Sequence, residues 1–163
     1  MKNKLQIILP FLIIFFLLGC ELNNTPTSKV EAFLSNYQLL DNSIYLDDKI
    51  NLFTNNKNLT DDITNGYKKI IERQYSALSY DVKDETIDGD NAVVEVQIEV
   101  FDYVNTLGSR IDDLSDVEKI NLLEKANIRS NYTIMFNVNK NNNGDWELLP
   151  IGSSDDLKLL GLY

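Results

Sequence analysis

Residues 92–103 restrict the fold more than any other part of the sequence, because apolar and polar residues alternate there. The apolar side consists of Val94, Val96, Ile98 and Val100, and the polar side of Glu95, Gln97 and Glu99. This period of two predicts a β-strand with one buried face and one face in water, which is typical of an antiparallel sheet. The alternation breaks at Val100 and Phe101, and a bulge there would bend the sheet.

Three more segments complete the expected sheet. Apolar residues alternate with polar ones in residues 78–82 and 131–138, and residues 146–151 form a last short strand. Residues 88–91 and 140–145 contain Asp-Gly and Asn-Gly pairs, which favour tight turns between neighbouring strands. The sequence therefore predicts about four antiparallel strands.

Helices are expected before the sheet. Thr25 is a suitable N-cap for a first helix, and Ser28 with Glu31 offers a competing capping box. A short helix fits residues 42–53, and Thr60 is the expected N-cap of a longer helix that follows. Helices first and an antiparallel sheet afterwards indicate the α+β fold class.

The second half of the chain contains shorter helical segments. Residues 105–114 are expected to form a polar loop, and Ser115 with Glu118 to cap a short amphipathic helix. Ser154 is the expected cap of a terminal helical turn, which Gly161 ends. The apolar side of the amphipathic helix is predicted to consist of Val117, Ile120, Leu123 and Ala126.

The amino terminus has the pattern of a secretory signal. Lys2 and Lys4 precede the uncharged run of residues 5–18, and the chain's one cysteine, Cys20, follows it. The run is shorter than the roughly 20 apolar residues of a membrane-spanning helix, and a free thiol would leave Cys20 without a partner. The sequence Leu-Leu-Gly-Cys resembles the lipobox of bacterial lipoproteins. That resemblance implies cleavage between Gly19 and Cys20 and a lipid on the Cys20 sulfur.

The chain is then expected to divide into three parts. Residues 1–19 form the signal peptide, residues 20–27 a tether and residues 28–163 one folded domain. The expected location is the outer face of the cell membrane, where two acyl chains on Cys20 hold the protein firmly.

Charge and composition exclude several classes of function. The net charge of −10 becomes −12 when the signal is removed, and an acidic domain does not attract nucleic acid. The chain has no histidine and no second cysteine, which removes disulfides and Cys/His metal sites. No glycine-rich phosphate loop is present, and no cofactor is expected.

Several short runs resemble the NTF2-like superfamily, within it the small NTF2-like lipoproteins of Gram-positive bacteria. They are Asp-Gly-Asp-Asn-Ala-Val-Val-Glu-Val from Asp88, Asn-Gly-Asp-Trp-Glu-Leu from Asn143 and the closing Ser-Asp-Asp-Leu-Lys-Leu-Leu-Gly-Leu-Tyr from Ser154. The resemblance covers about residues 28–163. It implies a cone in which a curved sheet wraps a helix and the open end can hold a small molecule. Residues 105–127 are longer than a tight hairpin, so strand connectivity there stays open.

The resemblance also suggests where chemistry would lie. Some NTF2-like proteins are isomerases that use an Asp base, and Asp102 between Phe101 and Tyr103 is the nearest local match. The alternative is a solvated acid at a strand end. Tyr80 and Tyr132 could line the mouth of a pocket, although strand tyrosines more often serve packing.

No residue is assigned a catalytic role on these grounds. The leading hypothesis is a non-catalytic binding domain for a small apolar ligand or a protein partner, held at the membrane through Cys20. One alternative is an enzyme of isomerase or hydrolase type. The other is a structural module that acts as a homodimer through the outer sheet.

Overall fold

A four-stranded antiparallel sheet in the order β1-β2-β3-β4 carries the fold. The computed structural model describes residues 24–39, 46–56 and 58–163. Within them the strands are β1 Ser79–Asp88, β2 Asn91–Phe101, β3 Arg129–Lys140 and β4 Trp146–Leu148. The predicted number of strands and the α+β class are confirmed.

Tight turns join the strands where the sequence predicted them. Gly89 and Gly144 have φ angles of +61° and +85°, a region that favours glycine. The connection between β2 and β3 is long, yet these strands are direct neighbours, which resolves the connectivity left open by the sequence. The predicted strand over residues 146–151 ends earlier, at Leu148.

The predicted bulge at Val100 and Phe101 is wrong. The pairing of β2 with β3 runs without interruption from Asn91 to Phe101. The irregularity lies in β1 instead, between Val82 and Asp84. The alternation breaks at Phe101 because β2 ends there, and Tyr103 already belongs to the next helix.

Six α-helices occur in the described part of the chain. They are α1 Pro26–Gln38, α2 Leu46–Ile50, α3 Asp61–Ser76, α4 Tyr103–Leu107, α5 Asp116–Leu123 and α6 Ser153–Leu159. A short 3-10 helix, Gly108–Arg110, follows α4. The residues predicted as a polar loop, 105–114, are therefore partly helical, because Asp102 caps α4 and fixes its first turn.

Side-chain caps start three of these helices as the sequence predicted. Thr25 caps α1, Thr60 caps α3, and Ser115 forms a capping box on α5. Ser28 is not a competing cap, because its hydroxyl completes the box of Thr25. Ser154 is not a cap either, since the N-cap of α6 is Gly152.

The structure describes the end of the predicted tether but not the predicted signal peptide. The helix α1 begins at Pro26, so the expected domain start at residue 28 falls within it. The side chain of Asn24 bonds Asp145 and the backbone of Trp146, which ties residue 24 to the sheet. The signal peptide, its cleavage point at Gly19 and Cys20, and the lipid on Cys20 lie outside the described residues.

Two apolar clusters form the core. The first joins the inner face of the sheet to Val30 and Leu34 of α1. The second joins α3 to the shorter helices α2, α4 and α5. The predicted apolar side of α5 is correct for Ile120 and Leu123 but wrong for Val117, which is 56% exposed, and Ala126 is buried beyond the end of the helix. Among the described helices none is long and apolar enough to span a bilayer.

Candidate functional site

Three of the predicted pocket residues lie where β2 turns into α4. Asp102 is 2% exposed and its carboxylate caps α4 by accepting from the Asn105 backbone N–H at 2.8 Å. The same carboxylate accepts from the Asn105 amide at 2.6 Å and from Ser130 Oγ at 2.5 Å. Burial alone would raise the pKa of Asp102, but these hydrogen bonds hold it below its ordinary value. A carboxylate with these donors is suited to fixing a backbone turn.

The aromatic neighbours of Asp102 are packed rather than open. Tyr103 is fully buried and its hydroxyl donates to the Ile70 carbonyl at 3.2 Å, and burial raises the pKa of Tyr103 to about 12. The Phe101 ring has the guanidinium carbons of Arg73 and Arg129 at 3.9 and 4.9 Å from its centroid. These contacts stabilise the end of the sheet by cation–π attraction.

The other two predicted residues lie on the inner face of the sheet. Tyr80 and Tyr132 both pair with Ile98, one from each side of β2. The hydroxyl of Tyr132 donates to the Tyr163 carbonyl at 3.0 Å, and that of Tyr80 lies 3.4 Å from Ser35 Oγ. The contact of Tyr80 is separate from the turn that holds Asp102, whereas Tyr132 lies near that turn. Burial and then the charge of Asp102 raise the pKa of Tyr132, while a hydrogen bond with Ser130 lowers it.

The stabilisation that the Asp102 carboxylate provides depends on pH. The pKa of Asp102 in the folded chain is below its ordinary 3.8. The ionised carboxylate therefore stabilises the fold above about pH 4, and this stabilisation is lost as pH falls through the pKa of the folded state. We expect Ser130→Ala to cost about 1.5–3 kcal/mol at pH 7, since it removes a hydrogen bond to a charged group.

The check is denaturant unfolding at a series of pH values. The cost of Ser130→Ala should shrink below pH 4, while Ser76→Ala, whose hydroxyl donates to a carbonyl instead, should show no such trend. A Ser130→Ala cost that stays constant down to pH 2 would show that its bond to Asp102 is not what stabilises the turn.

The outer face of the sheet is polar and open. In the described chain its side chains are exposed or half-exposed. The cross-strand register places on it Ser79, Asp81, Asp84, Thr86, Asp88, Asn91, Val93, Glu95, Gln97, Glu99, Asn131, Thr133, Met135, Asn137, Asn139 and Glu147. An open depression of about 180 Å³ lies here, lined by the outer-face residues Ser79, Asp81, Gln97, Glu99 and Asn131 together with Tyr80 and Ile98, whose side chains lie on the inner face.

Two groups of polar residues that the sequence did not single out lie among the helices. Lys49 of α2 forms an ion pair with Asp156 of α6, whose Oδ1 atom is buried and has no hydrogen-bond partner among the described residues. Burial, and secondarily the charge of Asp156, raises the pKa of Tyr37 to about 12. Tyr75 stacks edge-on to Tyr37 at 4.7 Å.

The second group links a loop to two helices. The buried Tyr67 donates to Asp116 Oδ1 at 2.7 Å, and Asn56 donates to Asp116 Oδ2 at 3.2 Å. Both groups join residues far apart in the sequence, so local patterns gave no signal for them. Within the described ranges, no three acidic or cysteine side chains are arranged to hold a metal ion.

Comparison with family models, with curated proteins and with solved structures finds no match for this chain.

Proposed function

We propose that this chain is an exported, lipid-anchored surface protein whose folded domain binds a protein partner and performs no catalysis. The observation that carries the proposal is the contrast between the two faces of the sheet. The inner face is filled by the chain's own side chains, whereas the outer face is exposed in the described residues.

The packing on the inner face favours a protein partner over a small apolar ligand. Phe33 of α1 lies over the sheet, with its ring 5.8 Å from Phe136 and 4.8 Å from Tyr37. Leu34, Phe136 and Trp146 are at most 7% exposed in the same cluster. Rings at these separations are in contact, so they occupy the space that a ligand would need.

An NTF2-like cone is part of the proposal. Two observations support it: α1 lies against all four strands, and β1 is irregular between Val82 and Asp84, a feature that bends strands. In that cone α1 would be the helix that the sheet wraps, and the chain's own side chains would fill the interior.

The two alternatives have less support. For an enzyme, Asp102 would have to exchange a proton, yet its oxygens already accept three hydrogen bonds. For a homodimer through the outer sheet, two copies of a face rich in carboxylates would repel each other.

The lipid anchor is tested at Cys20. We expect Cys20→Ser to move the protein from the membrane fraction to the medium or the soluble exported fraction, because no thiol remains to carry acyl chains. Cell fractionation with immunoblotting measures this. A serine at another position of the amino-terminal segment, as in Asn24→Ser, should leave the protein in the membrane. Retention of the Cys20→Ser protein in membranes would refute lipid attachment at this residue.

Native mass spectrometry of the full-length protein in a gentle detergent tests the binding mode. We expect the mass of one lipidated chain without a retained small molecule. A constant additional mass that disappears on unfolding would favour the apolar-ligand hypothesis instead. A predominant mass of two chains would favour the assembly hypothesis.

A further inference from the structure

Resting on the proposed function, we propose that the outer sheet face binds a cationic segment of the protein partner, centred on the row Asp84, Glu95 and Met135. These three residues lie directly across from one another on β1, β2 and β3. The partner chemistry is lysine or arginine side chains on an extended or helical segment.

The charge balance of this face supports a cationic partner. Its only paired carboxylates among the described residues are Asp81, which Lys83 contacts, and Glu99, which Arg129 contacts. Neither Asp84 nor Glu95 forms an ion pair with any residue that the structure describes. The acids placed on this face by the register are Asp81, Asp84, Asp88, Glu95, Glu99 and Glu147.

The pairing of Asp84 with Glu95 is unfavourable for the isolated protein. Like charges directly opposite each other on neighbouring strands repel. A cation placed between the two carboxylates would reverse this, because each carboxylate would gain an opposite charge. A destabilising pair on an exposed face therefore indicates that its favourable counter-charge comes from another molecule.

The surroundings of the pair fit a segment rather than a single ion. Met135 is 50% exposed next to Glu95, and methionine adapts its shape to an apolar contact. One row away, the depression lined by Asp81, Gln97 and Glu99 offers space for a neighbouring side chain. Because Asp81 and Glu99 already pair with Lys83 and Arg129, Asp84 and Glu95 are the carboxylates of these rows that a basic side chain of the segment would meet.

The test uses the full-length protein in neutral detergent and a fluorescein-labelled peptide of alternating lysine and threonine. Fluorescence anisotropy measures the Kd of the wild type, of Asp84→Asn with Glu95→Gln, and of Asp112→Asn with Asp113→Asn. Asp112 and Asp113 are exposed on the connection before α5, so both double variants change the net charge equally.

We expect the Asp84/Glu95 variant to bind the peptide roughly tenfold or more weakly, because removal of a charge partner weakens binding. The Asp112/Asp113 variant should bind within about twofold of the wild type. A peptide with glutamate in place of lysine should not bind. The Asp84/Glu95 variant should unfold at the same or a higher temperature than the wild type, which shows that the fold is intact.

Two results would overturn the inference. Equal weakening in both double variants would show that net charge alone attracts the peptide. No binding of the lysine peptide to the wild type would exclude a cationic segment. Either result would leave the proposed function standing, because native mass spectrometry and the Cys20→Ser variant test that function separately.

Discussion

Gly161→Ala is expected to lower the free energy of unfolding by about 3 kcal/mol or more. Gly161 has a φ of +68°, where other residues are strained. A Cβ at this position would also overlap the carbonyl oxygen of Phe101 and the side-chain amide of Gln74. The backbone at Gly161 cannot move away from Phe101 without loss of the 2.9 Å hydrogen bond that the Tyr103 N–H donates to the Gly161 carbonyl. Thermal unfolding should show a midpoint lower by roughly 10 °C.

Gly89→Ala is the matched control. Gly89 has a similar φ of +61°, but a Cβ there meets no atom within 4 Å. Its cost should be about 1 kcal/mol, since only the backbone conformation is penalised. If both variants unfold at the same temperature, the close approach of Gly161 to Phe101 contributes nothing to stability.

Gln74→Met is expected to cost about 2–5 kcal/mol. Gln74 is fully buried on α3, and its side-chain amide makes two hydrogen bonds of 3.0 Å with the backbone of Phe101. The side-chain oxygen of Gln74 accepts from the Phe101 N–H, and its side-chain N–H donates to the Phe101 carbonyl, as the backbone of a neighbouring strand would. Methionine has a similar length and forms neither bond, so both backbone groups lose their partner in a partly buried site.

Gln38→Met provides the comparison, because Gln38 donates a single hydrogen bond, to the Leu78 carbonyl at 2.7 Å. Its cost should be about 1 kcal/mol. Denaturant unfolding of both variants gives the two values. A Gln74→Met cost no greater than that of Gln38→Met would contradict the double bond to Phe101 as a stabilising contact.

The strands and helix starts were predictable because they depend on neighbours in sequence. The alternation of residues 92–100 matches β2, and the Asp-Gly and Asn-Gly turns occur at Gly89 and Gly144. Thr25, Thr60 and Ser115 cap helices through bonds that reach only three residues along the chain. The polar side of β2 also predicted the exposed sheet face on which the proposed function rests.

One error arose at a helix cap that the sequence analysis missed, and a distant residue holds that cap in place. The end of β2 depends on Asp102, which Ser130 holds from 28 residues away, and the loop predicted for residues 105–114 became helical under that cap. The pairing of Asp84 with Glu95 also needed the register, because the irregularity after Val82 brings the two acids face to face.

The sequence by itself therefore determined the α+β class, the alternating faces of the strands and three of the helix caps, since these follow from periodicity and short-range hydrogen bonds. Only the tertiary structure decided how the sheet ends, where Gln74, Phe101 and Gly161 meet. It also decided which carboxylates lack a counter-charge. The physical reason is that hydrogen bonds and charges act through space, and the chain brings together residues that no local pattern relates.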